Sequence, residues 1–319
     1  MDHKFCVAPM MNRTDRHCRY FHRILSKKSV LYSEMIHTNA IIRGETEQLL
    51  KYDQKEHPLA LQIGGSDPNL LAESCTISDD FGYDEINLNV GCPSSKVQKG
   101  EFGAILMKNP KLVANCVNTM NQATKTPITV KCRIGVDNTD EEKHLDRFIE
   151  EVSSAGCETF IIHARKAWLK GLSPKDNREI PPLNYERVYK LKESYPNLNL
   201  IINGGIKTKE DCLHHLQYVD GVMLGREAYD NPLILAEIDN EIFSEENKFL
   251  TRSEILKRIT PYIKKELKSG TKPFHITRHL MGLFKGFDGA KNIRKSLASL
   301  NGEMNPIDNF EFLLKKVSV

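Results

Sequence analysis

Eight short apolar runs, each four to six residues long, recur through the first two thirds of the chain with helical material between them. They are Phe5–Ala8, Val30–Glu34, Leu59–Ile63, Glu85–Val90, Ile128–Cys132, Thr159–His163, Asn199–Ile202 and Gly221–Leu224. Runs of this length suit strands buried on both faces of a parallel sheet. Strand alternating with helix sets the helices outside that sheet. Eight such units close into a (β/α)8 TIM barrel more readily than they extend as an open sheet. The helix signals agree. Thr14-Asp15 is predicted to cap a helix through Cys18, Phe21 and Leu25, and Asp67-Pro68 and Asn109-Pro110 each place a capping residue before an N1 proline. Asp140 opens an acidic first turn ahead of Leu145, Phe148, Ile149 and Val152. The weakest unit joins the second and third runs, where 40–52 offers one short helix at best.

After Arg226 the strand pattern stops. Apolar residues at three- and four-residue spacing then predict helices over Ile234–Ile242, from Thr251 to Leu267, and over His275–Phe284, Ala290–Leu300 and Ile307–Val317. The expected division is a barrel over 1–244 and a small all-α helical bundle over 245–319. From Lys248 onward 15 Lys and Arg face 6 Asp and Glu, a balance of +9 that leaves −6 for the rest of a chain with net charge +3. A basic tail on a mildly acidic body suits a polyanionic partner; a merely solvated helix surface is the other reading. No run reaches the ~18 apolar residues of a membrane span. The first strand follows Met1–Lys4 directly, without a signal peptide. The eight cysteines are scattered with no CxxC, which argues against zinc and a thioredoxin-like pair and for a reducing compartment. A cytoplasmic, metal-free monomer is expected.

In a barrel of this kind chemistry gathers at the C-terminal ends of the strands. Those ends carry Ala8-Pro9-Met10, Gln62, Asn89-Val90-Gly91-Cys92-Pro93, Lys131-Cys132-Arg133, His163-Ala164-Arg165, Asn203-Gly204-Gly205 and Gly225-Arg226. Glycine turns on the last two strands let backbone N–H groups face a phosphate, with Arg226 adding charge; alternatively they only permit tight turns. An ammonium at Lys131, ending a hydrophobic strand, suits the anionic edge of a reduced flavin, or else an ion pair with Glu34 or Asp84. Gln62 can donate to and accept from a flavin pyrimidine edge, or satisfy backbone. His163 can position flavin, phosphate or substrate, or sit satisfied in the core.

Cys92 carries the sharpest reading, because it lies just past a strand between Gly91 and Pro93. An ordinary thiol, with pKa ~8.5, is mostly protonated near neutrality and can act as an acid. Beside Lys131 or Arg133 it would instead serve as a thiolate nucleophile. No GxSxG elbow, Walker loop, HExxH or GxGxxG fingerprint is present.

Taken together, Ala8-Pro9-Met10 with Thr14-Asp15, Asn87–Pro93, Lys131–Gly135, Ile202–Ile206 and Gly225-Arg226 resemble the tRNA-dihydrouridine synthases. The stretches 163–168, 171–174 and 177–183 narrow the resemblance to the A subfamily, and it spans Phe5 to about Leu297. It implies FMN held by Ala8, Pro9, Met10, Gln62, Lys131, His163, Asn203, Gly204, Gly205, Gly225 and Arg226. It implies tRNA contacts from Asn89, Arg133, Arg178, Lys291 and Arg294, with Cys92 as proton donor. The implied reaction reduces D-loop uridines 20 and 20a to 5,6-dihydrouridine: hydride passes from reduced FMN to C6, a proton from Cys92 to C5, and NADPH restores the flavin. Two departures stand out. Asn12-Arg13 replaces the usual Asp-Trp, and Ile293 replaces a Trp in the C-terminal region. The rival readings are an FMN-barrel oxidoreductase acting on a free pyrimidine, of the dihydroorotate dehydrogenase kind, and a non-catalytic tRNA-binding factor.

Overall fold

The computed structural model describes residues 1–245, 249–300 and Phe310. Nine parallel strands occur in chain order: β1 (Phe5–Val7), β2 (Val30–Tyr32), β3 (Ile36–His37), β4 (Leu59–Gly64), β5 (Glu85–Asn89), β6 (Ile128–Arg133), β7 (Thr159–His163), β8 (Asn199–Asn203) and β9 (Gly221–Leu224). Hydrogen-bonded neighbours run β2-β1-β9-β8-β7-β6-β5-β4, and β2 pairs back onto β4, Leu31 opposite Leu59, which closes an eight-stranded barrel. The eight expected strands are all present.

β3 is an addition to that expectation. It continues beside β4, Ile36 opposite Ile63, after a break at residues 33–35. At the break the Ser33 hydroxyl takes over a ladder position by accepting from Gln62 N at 2.9 Å. The connection to β4 then holds two short helices, Thr38–Arg43 and Thr46–Leu50, where one was expected.

Helices cover the outside. Asp15, Asp67 and Asn109 cap Arg16–Leu25, Pro68–Asp79 and Pro110–Ala123, each side chain accepting from backbone N–H groups of the first turn. Two apolar layers result. A large outer one lies between strands and helices, and a small inner one, inside the barrel, comprises Cys6, Ala8, Val30, Tyr32, Ala60, Ile161, Ile201 and Met223. On β5 and β6 the pleat sends Ile86, Leu88, Val130 and Cys132 to the outer layer. The alternate residues Glu85, Asn87, Asn89 and Thr129 are therefore buried inside the barrel.

Beyond Leu224 the described residues form helices and turns, without strands. Arg252–Lys268 opens with a capping box between Thr251 and Glu254, and Pro273–Thr277 and Ala290–Ser299 follow. Most of the single helix expected over 275–284 is instead a 3₁₀ stretch, Arg278–Phe284. It tightens where Gly282 approaches the Tyr229 carbonyl so closely that a Cβ would lie 2.6 Å from that oxygen. The helix expected over 307–317 lies outside the described residues except for Phe310. The C-terminal helices dock on Arg16–Leu25: Tyr20 stacks on Tyr262 with centroids 3.8 Å apart, and Arg16 pairs with Glu266. Against the cost of burial, contacts from His279 and Arg278 hold the Asp15 carboxyl well below its ordinary range. Among the described residues no helix is long and apolar enough to cross a membrane.

Candidate active site

The turn after β5 is built around Asn89, whose Oδ1 accepts from Gly91 N at 3.2 Å and Cys92 N at 3.0 Å. The following loop folds back on this turn. Ala104 N donates to Cys92 O at 2.9 Å, and Gly103 (φ +75°) lies so near that a Cβ would be 2.6 Å from the same oxygen. Gln98 Nε2 bridges Pro93 O and Leu169 O, tying this loop to the one after β7. Of the eight cysteines, all free, only Cys92 is not buried. Burial pushes Cys75, Cys116, Cys132 and Cys212 up to about 12, so these thiols are inert near neutral pH. Cys92 is the thiol available for chemistry.

On the neighbouring strand, Lys131 Nζ donates to Asn203 Oδ1 at 3.0 Å, and Asn203 is itself oriented by donating from Nδ2 to Met223 O at 2.7 Å. The alternative of an ion pair with Glu34 or Asp84 does not occur: Glu34 accepts from Arg13 N, and Asp84 is taken by His57 and Leu59 N. Burial, with Arg133 nearby, brings the Lys131 ammonium down to about 8. Burial and the cations Arg133, Lys131, Arg165 and Arg178 press the His163 pKa well below its usual value, so the ring is neutral. No side-chain hydrogen bond is made by that ring among the described residues.

Gly204 (φ +117°) and Gly205 (φ +73°) adopt conformations that favour glycine, and both are crowded. A Cβ on Gly204 would meet His163 Cδ2 at 2.7 Å, and one on Gly205 would meet Leu183 at 2.6 Å. Gly225 faces Ala8 and Met10 at ordinary contact distance, bringing the ends of β1 and β9 together. Arg226 pairs with Glu179 at 2.6 Å, so its charge is shared with the loop after β7. Arg165 donates from Nη1 to Pro181 O, while its buried Nε has no hydrogen-bond partner among the described residues. Arg13 lies 4.7 Å over the Tyr229 ring and pairs with Asp230.

The residues expected to touch tRNA fall into four settings. Asn89 is buried and committed to the Cys92 turn. Arg133, only 3% exposed, donates to the carbonyls of Gly91, Lys166 and Asn177, so it fastens the Cys92 turn to the β7 loop from below instead of facing solvent. Arg178 is exposed on that loop, where fully buried Asn177 holds the backbone through Trp168 N, Trp168 O, Leu172 O and Ser173 O. Lys291 and Arg294 are exposed on Ala290–Ser299, away from the barrel strands, while Ile293 turns to the core. Sequence reasoning missed Glu85, Asn87, Thr129, Gln98 and Gly103 as residues that hold the site. The alternation Glu85-Ile86-Asn87-Leu88-Asn89 was the signal for the first two.

The family model for dihydrouridine synthase matches residues 6–318. A tRNA-dihydrouridine(20/20a) synthase of Escherichia coli K12 is 55% identical over 296 residues, 92% of this chain and 86% of that protein. One of Vibrio cholerae is 53% identical over 296 residues, 92% of this chain and 90% of that protein. Among solved structures, a 2-naphthoyl-CoA reductase bound to 2-naphthoyl-CoA superposes with TM-score 0.58 at 9% identity, over 79% of this chain and 51% of that one, a likeness of fold alone. Cys92 at its turn, Lys131 held by Asn203 and the two glycine turns thus stand within a sequence match that covers nearly the whole chain, and the chain belongs to the dihydrouridine synthase family, in its A subfamily.

Proposed function

We propose that this protein is an FMN-dependent oxidoreductase that reduces uridines 20 and 20a in the D-loop of tRNA to 5,6-dihydrouridine, with NADPH as electron donor. The observation that carries the reading is that Cys92, the one thiol not buried, and Lys131, an ammonium with no carboxylate partner, arise from adjacent strands at one barrel mouth.

The residues fit FMN. Among the described residues Lys131 is a cation with no carboxylate partner and Arg165 Nε is an unsatisfied buried donor, while Gly204 and Gly205 turn the chain with positive φ beside His163. Lys131, held by Asn203, would supply positive charge to the anionic reduced cofactor; Ala8–Met10, Gln62, neutral His163, Gly225 and Arg226 would complete the cradle. Bound FMN would supply hydride to uracil C6. Cys92 then delivers the proton to C5, and the Asn89 and Gly103 contacts on its turn fix where the sulfur stands. Arg178, Lys291 and Arg294 would meet tRNA phosphates, and extrusion of the uridine from its stack would bring the base to the mouth.

The test is incubation of purified protein with FMN, NADPH and an unmodified tRNA transcript, reading dihydrouridine by mass spectrometry. Dihydrouridine at positions 20 and 20a is expected. Reduction of free uracil at the same rate as tRNA would overturn the reading in favour of a small-molecule pyrimidine reductase.

A further inference from the structure

A single file of hydrogen bonds descends through the barrel from the Cys92 turn. Cys92 N donates to Asn89 Oδ1 (3.0 Å), Asn89 Nδ2 to Gln62 Oε1 (2.9 Å), Gln62 Nε2 to Asn87 Oδ1 (2.8 Å), Asn87 Nδ2 to Thr129 Oγ1 (2.8 Å), and the Thr129 hydroxyl to Glu85 Oε1 (2.6 Å). Glu85 also accepts from the Tyr32 hydroxyl at 2.8 Å and meets His3 Nε2 at 2.6 Å. Asn89, Gln62, Asn87, Thr129 and Glu85 are each no more than 8% exposed.

Every donor in this file points toward Glu85. An amide oxygen only accepts and an amide nitrogen only donates, so the orientation of one amide dictates the next. The backbone N–H at the top can only donate, and the carboxylate oxygen at the bottom accepts. Both ends thus demand one direction, and no single amide can turn over without setting like against like. Aligned bonds in a low-dielectric interior also strengthen one another. The consequence reaches the mouth. With Asn89 Oδ1 taken by two backbone N–H groups and one Nδ2 hydrogen spent on Gln62, the only group Asn89 has left is an N–H donor.

A purely space-filling role does not account for the file. Burying a carboxylate costs stability that an apolar filling would not, and the same barrel fills its other side with Ile161, Ile201 and Met223. We propose that Glu85, acting through Thr129 and Asn87, is a positioning residue: it sets the polarity of the Gln62 and Asn89 amides and thereby holds the Cys92 turn in its working place. The inference rests on the reading of Cys92 as the proton donor.

The test compares Thr129→Val, which removes the relay hydroxyl while keeping the side chain's shape, with Glu85→Gln, which lets the file reverse. Thr129→Ser, which keeps the hydroxyl, and Ile201→Val, on the apolar side, are the controls. Two readouts apply: kcat and KM for tRNA of the flavin-loaded enzyme, and the iodoacetamide alkylation rate of Cys92 in protein freed of flavin, the other thiols being buried. Thr129→Val is expected to unfold cooperatively and to lose kcat by roughly 10- to 100-fold at unchanged KM, the scale of a displaced reacting group. Its Cys92 alkylation rate should shift severalfold, and Thr129→Ser should restore both values. Glu85→Gln should behave as Thr129→Val does; if it fails to fold, the two Thr129 variants decide. Wild-type kcat and alkylation in folded Thr129→Val, or an equal loss of kcat in Ile201→Val, would overturn the proposal. Should Cys92→Ala keep full turnover, the proton-donor reading falls by itself, and the alkylation comparison alone then decides whether the file holds the turn.

Discussion

On one side of the barrel, β1, β2, β7, β8 and β9 fill the interior with Cys6, Ala8, Val30, Tyr32, Ile161, Ile201 and Met223; on the other, β4, β5 and β6 contribute Gln62, Glu85, Asn87, Asn89 and Thr129. The first side is held by apolar area and contact, which tolerate changes that keep volume. The second is held by pairing, where each group is satisfied only if its neighbour is correctly turned. The strand ends differ in the same sense. Strands β8 and β9 of the apolar side lead into the glycine turns Gly204-Gly205 and Gly225, whereas Cys92 follows β5 and Lys131 lies near the end of β6. Cys92 and Lys131 thus stand above the half whose interior is joined by side-chain hydrogen bonds.

The largest expected effect tests the top of the polar side. Cys92→Ala should retain the flavin absorbance and lose turnover by about 10²–10⁴; wild-type dihydrouridine formation would break the link between this side and the chemistry. Next comes stability. Glu85→Ala strands the Tyr32, Thr129 and His3 donors and should cost roughly 3–5 kcal/mol. Ile201→Ala, across the barrel, should cost about 2–5 kcal/mol through a cavity. Denaturant titration distinguishes them further, because Glu85→Leu should recover part of the loss while Ile201→Asn should recover none.

A smaller effect concerns Lys131, whose pKa is lowered to about 8. Between that value and the ordinary ~10.4 the unfolded chain carries a proton at Lys131 that the folded one lacks, so this group's contribution to the stability of the flavin-free protein rises with pH across the window, while the buried thiols, whose pKa values are raised, contribute in the opposite sense. The gain should be on the order of 1 kcal/mol for a half-buried side chain. Lys131→Met should remove this contribution and be more stable than wild type at pH 7, by a margin that narrows as pH rises, while binding FMN poorly. Unfolding titrations of both proteins at pH 7 and 9.5, read as the difference between them, check the sign. Smallest is the C-terminal surface: Lys291→Ala and Arg294→Ala should each lessen the salt slope of tRNA binding by about one and leave the barrel's stability unchanged.

Much of this was legible in the chain. Apolar runs and capping pairs such as Asp67-Pro68 located every strand of the ring and most helices, because strand burial and helix capping act over a few residues. β3 was not legible: Ile36–His37 is too short to carry a pattern, and the Ser33 hydroxyl that shifts the ladder is a tertiary contact. Polar residues were expected to converge at the strand ends; Arg133, expected there to touch tRNA, braces three carbonyls from within. A charged residue at a strand end carries no local mark of whether it turns outward or under a loop.

The sequence by itself determined the alternation of strand and helix, the glycine turns and the place of Cys92 after β5, since each depends on neighbouring residues and backbone sterics. Only the tertiary structure decided that Glu85, Asn87 and Asn89 face the barrel interior and join Gln62 and Thr129 in one directed file. Period-two alternation says that a strand has a polar face, but closure of the ring turns that face inward, where every donor must find its acceptor on another strand.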